Sequence, residues 1–244
     1  MSRDAKFFGV HACEAVFARR PDAIQRAFFT EATAPLFGPL MKQLAARRRP
    51  YRVVDEVELA KVAGTRHHEG VCVVTDPLPE GDSDAVLRRL LAAPSARLLF
   101  LDGVGNPHNV GAILRTAAHF GNAALAGDAE TLSVPSGATA RVAEGGAEHV
   151  PVLRWKHPLR GLERLAEHGF ARVATVVDRG TPLHQAELPA RCAFLLGAER
   201  EGLSREVREA ADVTVTIPGT GDVESLNVNV AAAILLAEHA RRHG

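Results

Sequence analysis

Residues 98–121 read LLFLDGVGNPHNVGAILRTAAHFG. The stretch opens on an unbroken apolar run, 98–101, which stops at Asp102-Gly103. A polar turn follows, and then Val110, Ile113, Leu114 and Ala117 recur at i, i+3, i+4 and i+7. A short apolar run bounded by polar punctuation suits a strand buried on both faces of a parallel sheet. The 3.6-residue period after it is that of a helix lying on such a sheet. The alternation continues downstream, with strands expected at 123–126, 150–153, 171–177, 192–196 and 213–217 and helices at 110–120, 159–168, 205–210 and 228–242. This predicts an α/β domain with a parallel sheet over 97–244. Upstream, the pattern predicts helices at 12–19, 36–48 and 57–62 and strands at 27–30, 51–54 and 71–75, a smaller α/β domain over 5–76. The helix at 36–48 is read from Leu36, Leu40, Leu44 and Ala45. The turn-rich PLPEGDS at 77–83 and a helix at 84–92 make 77–96 a connecting segment.

Composition narrows the class. The chain has 244 residues, 46% hydrophobic and 24% charged, which excludes low-complexity disorder. No apolar run approaches the roughly 18 residues a membrane span needs. The opening MSRDAKFFGVHA lacks the apolar centre of a signal peptide, so a cytoplasmic protein without membrane association is expected. Lys+Arg and Asp+Glu are 29 each, so any polyanion must be met by a local basic stripe. Only Lys6, Lys42, Lys61 and Lys156 are lysines. The remaining cations are guanidinium, suited to bidentate phosphate contact, although a GC-rich gene produces the same bias. Cys13, Cys72 and Cys192 form no CxxC pair, and adjacent His67-His68 chelate poorly. His239 and His243 have a metal-compatible i,i+4 spacing, but at a helix C-terminus a cation complementing the dipole is the commoner meaning. No metal is expected.

Ligands of parallel α/β sheets sit at the carboxyl ends of strands. Three loops there combine Gly with polar side chains and lead into helices: 102–121, 196–204 (LGAEREGLS) and 217–230 (IPGTGDVESLNVNV). Gly103-Val104-Gly105 lacks the third Gly of a dinucleotide fingerprint, Pro107 removes an amide, and no GK[ST] of a P-loop occurs. In one unbroken helix Asn109 would point about 120° from Arg115, so Asn109 is expected to cap a helix starting at Val110. A plain cap and a substrate contact are both open for Asn109, as are a surface cation and a phosphate contact for Arg115. In the third loop Ser225, Asn227 and Asn229 alternate with Leu226 and Val228, and an extended chain would put the three polar groups on one side. A Ser/Asn-rich helix entry reads equally well.

Together the loops resemble the three motifs of the SpoU/TrmH family of RNA ribose 2′-O-methyltransferases, within the SPOUT superfamily. Asn109-Val-Gly-Ala-Ile-Leu-Arg115 with Phe120-Gly121 resembles the first motif, Leu196-Gly197-Ala198-Glu199-Arg-Glu-Gly202-Leu203 the second, and Ile217-Pro218 through Ser225-Leu226-Asn227-Val228 the third. The order and spacing match over 98–242. The segment 5–76 is similar to the family's L30e-like substrate-binding domain, opening at Gly9-Val-His11-Ala and ending near His67-His68-Glu69-Gly70-Val71. The sequence departs from many relatives at Gly219, often Met, and Asn229, often Ser.

The resemblance implies a catalytic domain with a deep trefoil knot, S-adenosylmethionine as cofactor, RNA as partner and a homodimer built on the catalytic domain, with 228–242 as an interface helix. It places cofactor contacts at Leu196, Gly197, Ala198, Gly202, Ile217, Ser225, Leu226 and Asn227, and catalytic roles at Arg115, Asn109, Glu199, Ser225 and Asn227. The difficult part of the reaction is the nucleophile, because an alcohol is almost wholly protonated at neutral pH. Arg115 is expected to hold the neighbouring phosphate. Family proposals also give it a share in deprotonation, for which a guanidinium holds its own proton too tightly unless strongly perturbed. Glu199 is expected to order its loop through backbone amides or to polarise the nucleophile. Arg19-Arg20 and Arg47-Arg48-Arg49 are candidate RNA contacts, or helix ends complementing their dipoles. Aromatic residues are 5% of the chain, which favours recognition by shape and phosphate position over base stacking. The added N-terminal module favours ribosomal over transfer RNA. A non-catalytic RNA-binding or ribosome-assembly protein on the same scaffold is the alternative, with a small-molecule α/β enzyme as a third reading.

Overall fold

The computed structural model describes residues 4–244, so the Met1-Ser2-Arg3 part of the segment read for a leader lies outside it. The chain divides into two compact units. The first holds the described residues through Pro79 together with Val134–His149; the second holds Glu80–Ser133 and Val150–Gly244. The chain therefore leaves the second unit after Ser133 and returns at Val150, an excursion that no local pattern announces.

In the first unit, β1 (Ala5–Phe8), α1 (Val10–Arg19), β2 (Ile24–Phe29), α2 (Gly38–Ala46), β3 (Tyr51–Val53), α3 (Glu56–Ala63) and β4 (Val71–Thr75) form a four-stranded sheet ordered β1-β4-β2-β3 with helices against it. Only β2 and β3 pair in parallel. The core gathers Phe7, Val16, Ile24, Phe29, Leu40 and Leu44, with the Phe29 and Phe37 rings stacked at 5.3 Å. The helix expected at 36–48 begins later, because Ala34–Phe37 is a separate 3-10 turn. Leu36 consequently faces solvent while Leu40 and Leu44 are buried.

The second unit begins with α4 (Ser83–Leu91), β5 (Ala96–Asp102), α5 (Pro107–Phe120) and β6 (Ala123–Asp128). After α6 (Gly137–Val142), which packs on β1 in the first unit, it resumes with β7 (Val152–Trp155), α7 (Pro158–Glu167), β8 (Ala171–Val176), the short β9 (Thr181–Pro182), β10 (Arg191–Gly197), α8 (Arg205–Glu209), β11 (Val213–Thr216) and α9 (Val228–His243). Its seven strands are all parallel, in the order β7-β6-β5-β10-β8-β11-β9. Leu98–Leu101 of β5 pair with Ala193–Leu196 on one side and Ala124–Gly127 on the other, the central position their apolar run implied. Leu98, Phe100, Ala193 and Leu195 pack towards α4, α7 and α8. On the opposite face Phe194 meets His239 of α9 edge-on at 5.8 Å, and α9 packs along α5.

A polar pair is sealed inside this second layer. Arg97 is 3% exposed and His239 is fully buried. Arg97 Nε donates to His239 Nδ1 at 3.0 Å, and its Nη1 donates to the carbonyls of Phe120 and Gly121 at 3.1 Å. Because His239 Nδ1 accepts, the ring proton sits on Nε2, which donates to the Pro189 carbonyl at 3.0 Å. Burial and the adjacent Arg97 charge hold the imidazole down to about 4. His239 is therefore a neutral bridge inside the fold, and not a cation answering the dipole of α9. His243, expected to pair with it in spacing, bonds the Leu188 carbonyl at 2.6 Å.

Candidate active site

The loops after β5, β10 and β11 emerge on one edge of the parallel sheet, where strand carbonyl ends and helix starts converge. The first leads directly into α5. Its cap is Asn106, whose Oδ1 accepts from the His108 amide at 2.9 Å, and the helix starts at Pro107. Asn109 is thus inside the first turn, which corrects the expectation that it caps a helix beginning at Val110. The reason is local: proline at the first helical position has no amide to lose and a φ already suited to the helix.

Freed from capping, the Asn109 side chain reaches across to the other two loops. Its Nδ2 donates to Glu199 Oε1 at 3.0 Å. Asn227 Nδ2 donates to the same Glu199 oxygen at 2.5 Å and lies 3.3 Å from Asn109 Oδ1. Asn229 Nδ2 approaches Asn109 Oδ1 at 3.5 Å. One carboxylate oxygen therefore gathers amides from the first and third loops. Glu199 was expected to order its own loop through backbone amides; the bonds it makes are to side chains of the neighbouring loops. Ordering of the second loop falls to Asp102, whose Oδ2 accepts from the Ser204 amide at 2.6 Å. Asn227 also caps α9 through Oδ1 to the Asn229 amide at 2.9 Å. Asn229 lies inside the helix, so Ser225, Asn227 and Asn229 do not share one extended face.

Beside this cluster the second and third loops enclose a cavity of about 470 Å³. Its walls include Leu196, Gly197, Ala198, Gly202, Ile217, Ser225 and Leu226, with Glu199 at the same opening. The second loop can fold this tightly because residue 197 is glycine. A Cβ there would overlap the backbone of Gly202 and Leu203, while the Gly202 amide donates to the Ala198 carbonyl at 2.8 Å. Arg115 is exposed on α5, six residues beyond Asn109, hence about 9 Å further along the axis and about 120° around it.

The sequence matches the SpoU rRNA Methylase family over residues 96–237, and an RNA 2′-O ribose methyltransferase substrate-binding domain over residues 7–81. The chain belongs to the SpoU family. It is 38% identical over 99% of its length to an uncharacterized tRNA/rRNA methyltransferase, YfiF, of Escherichia coli O157:H7, and spans 69% of that protein. It is 34% identical over its full length to a 23S rRNA (guanosine-2′-O-)-methyltransferase, RlmB, of Nitrosomonas europaea, covering 94% of it. Among solved structures, a TrmH-family RNA methyltransferase of Porphyromonas gingivalis superimposes with a TM-score of 0.77 at 25% identity, over 98% of this chain and 90% of the other.

Reading this SpoU chain as sequence missed two parts of the site. One is Asp102, visible only as the polar stop of an apolar run. The other is the end of β8, where Thr175, Val176 and Val177 line the cavity. Their signal was position alone: they close an apolar strand on the same sheet edge. The basic patches of the first unit are largely occupied internally. Arg20 Nε bonds Glu148 at 2.9 Å and its Nη1 the Asp76 carbonyl at 2.7 Å, Arg47 pairs with Asp22, and Arg49 Nη1 reaches the Asp22 carbonyl at 2.6 Å. Arg19 and Arg48 remain exposed. Among the described residues, no three His, Cys, Asp or Glu side chains form a metal-binding group, and no helix is long and apolar enough to cross a membrane.

Proposed function

We propose that this chain transfers a methyl group from S-adenosylmethionine to a ribose 2′-hydroxyl of RNA, with ribosomal RNA favoured over transfer RNA. The observation carrying this is the convergence of Asn109, Glu199 and Asn227, from three separated loops, beside one cavity. At about 470 Å³ the cavity has the size of a small-molecule cofactor site. Its apolar walls at Leu196, Ile217 and Leu226 suit an adenine ring, and Gly197 lets the second loop close tightly beside it. Three carboxylates, Glu199, Glu201 and Glu224, outnumber the one guanidinium, Arg200, around it and favour a cationic ligand over a nucleotide phosphate. When bound, the cofactor supplies an electrophilic methyl on a positively charged sulfur.

The chain's own task is to align and desolvate the hydroxyl. The Asn109–Glu199–Asn227 cluster holds the three loops in register and offers amide and carboxylate groups to the ribose. Arg115 binds the phosphate next to the target sugar and fixes its orientation. Ser225 stands on the cavity wall, where it hydrogen-bonds the cofactor or the ribose.

The naming of the Nitrosomonas europaea relative as a 23S rRNA enzyme supports the ribosomal assignment. A deep trefoil knot is supported by β10, which follows β8 and β9 in the chain yet inserts between β5 and β8. The substrate-binding match over residues 7–81 supports an L30e-like, RNA-binding first unit. A homodimer through the second unit, with α9 at the interface, is supported by Val230, an exposed apolar side chain in the first turn of α9. The cytoplasm is the compartment where such an RNA is met.

Transfer of labelled methyl from the cofactor to ribosomal RNA tests the proposal. Transfer is expected from the wild-type chain and is expected to be lost in Arg115→Ala while the fold stays intact. No calorimetric binding of the cofactor, together with no transfer to RNA, would instead favour the non-catalytic scaffold.

A further inference from the structure

A second pocket, of about 260 Å³, opens where β7 passes into α7. It belongs to the same unit as the cofactor cavity, and no carboxylate is among its lining residues. Arg154 and Arg164 stand on its wall but are already neutralised by Glu80 and Asp84. Lys156, His157 and Arg160 also line it and are exposed. Trp155 packs on Phe100, with ring centroids 5.8 Å apart, and its indole nitrogen donates to Ser83 Oγ at 3.3 Å. The ring lies directly on α7 because residue 161 is glycine; any Cβ there would overlap it. A packed aromatic therefore backs two cations, Lys156 and Arg160, and the His157 imidazole, none of them spent on the fold.

Position adds to composition. Every strand of the sheet runs the same way, so the end of β7 and the ends of β8, β10 and β11 share one edge. β7 is three strands from β10 and four from β8. At about 4.8 Å per strand the two pockets are roughly 15–20 Å apart, a distance of a few nucleotides along one RNA chain.

We propose that the Trp155–Lys156–His157–Arg160 pocket binds the phosphodiester backbone of the RNA whose ribose is presented at the cofactor cavity. This rests on the RNA-methyltransferase reading above. The pocket supplies affinity and register and carries no sequence information, as phosphate contacts do.

The chain contains one tryptophan, so Trp155 emission reports this pocket alone. A stem-loop RNA is titrated into the full chain, with anisotropy of a fluorescein-labelled copy reporting binding anywhere and Trp155 emission reporting binding here. The two curves are expected to coincide. Lys156→Ala/Arg160→Ala is expected to weaken binding about tenfold. It also lowers the slope of log K against log salt by about 1.4–1.8, the loss of two phosphate contacts. Cofactor affinity by calorimetry stays unchanged. Arg205→Ala/Arg241→Ala changes the net charge equally but at guanidiniums that Glu209 and Glu238 already neutralise, and is expected to leave the slope near wild type. Unchanged affinity and slope in the Lys156/Arg160 variant, an equal effect in the control variant, or RNA binding without a change in Trp155 emission overturns the site. Displacement of the RNA by an acidic peptide of equal charge at equal concentration also overturns it, because the pocket would then read charge alone. A chain that binds RNA at this pocket but transfers no methyl refutes the enzymatic reading and leaves the pocket standing.

Discussion

Acid should destabilise this protein through one imidazole. His239 is held neutral between Arg97 and the Pro189 carbonyl, and its folded value is about 4 against an ordinary 6.5. The unfolded chain therefore takes up the proton first, and acid favours unfolding. The contribution is intact above about pH 6.5, erodes between about 6.5 and 4, and is level below that. At 1.36 kcal/mol per pH unit the full loss is about 3 kcal/mol, of which about 2 kcal/mol falls between pH 7 and 5. That is a large part of the roughly 5–15 kcal/mol a domain has in total. Urea unfolding of the wild-type chain and of His239→Gln at pH 7, 6 and 5 checks this. Glutamine carries an acceptor and a donor but does not titrate, so the variant is expected to start lower at pH 7 and to lose about 2 kcal/mol less on acidification. Other groups titrate in both chains and cancel in the comparison. The ring proton resonances of His239 in the wild-type chain give its titration directly, even if the variant folds poorly. Parallel acid slopes in the two chains, or a His239 resonance titrating near 6.5, would refute the assignment of a buried neutral bridge.

Gly197→Ala places a methyl in the backbone of Gly202 and Leu203, so cofactor affinity by calorimetry should fall at least tenfold while the first unit's hydrogen-exchange protection is unaffected. Asp102→Ala gives the exposed Ser204 amide back to water, and urea unfolding should register a loss of about 0.5–1.5 kcal/mol. Asn109→Ala and Glu199→Ala should be strongly non-additive in methyl transfer, because either one breaks the shared contact; a double variant slower than the wild type by the product of the two single losses would argue against a coupled cluster.

The layered architecture was legible because it rests on periodicity. A run such as 98–101 has one comfortable environment, a strand covered on both faces, and Val110, Ile113, Leu114 and Ala117 have one, a helix on a sheet. The loops bearing Asn109, Glu199 and Asn227 were legible as loops at strand ends, and their motif order tied them to one family. Finer placement failed where two local rules competed. Asn109 was read as the cap of a helix starting at Val110, but the helix starts three residues earlier at Pro107, whose fixed φ suits the first helical position. Leu36 continued the heptad-like spacing of Leu40 and Leu44, but a 3-10 turn set it outside the helix.

Residue chemistry and spacing, then, were enough to place most strands and helices, though not β1 at Ala5–Phe8 or α6 at Gly137–Val142, and to say where ligands gather and which side chains are candidates. They were silent on partners. That His239 faces Arg97 from 142 positions away, that Glu199 takes amides from two other loops, and that 134–149 leaves its neighbours for the other unit are long-range pairings. Such pairings depend on how the whole sheet is ordered. A titratable side chain carries its meaning in what surrounds it, and those surroundings exist only once the chain has closed on itself.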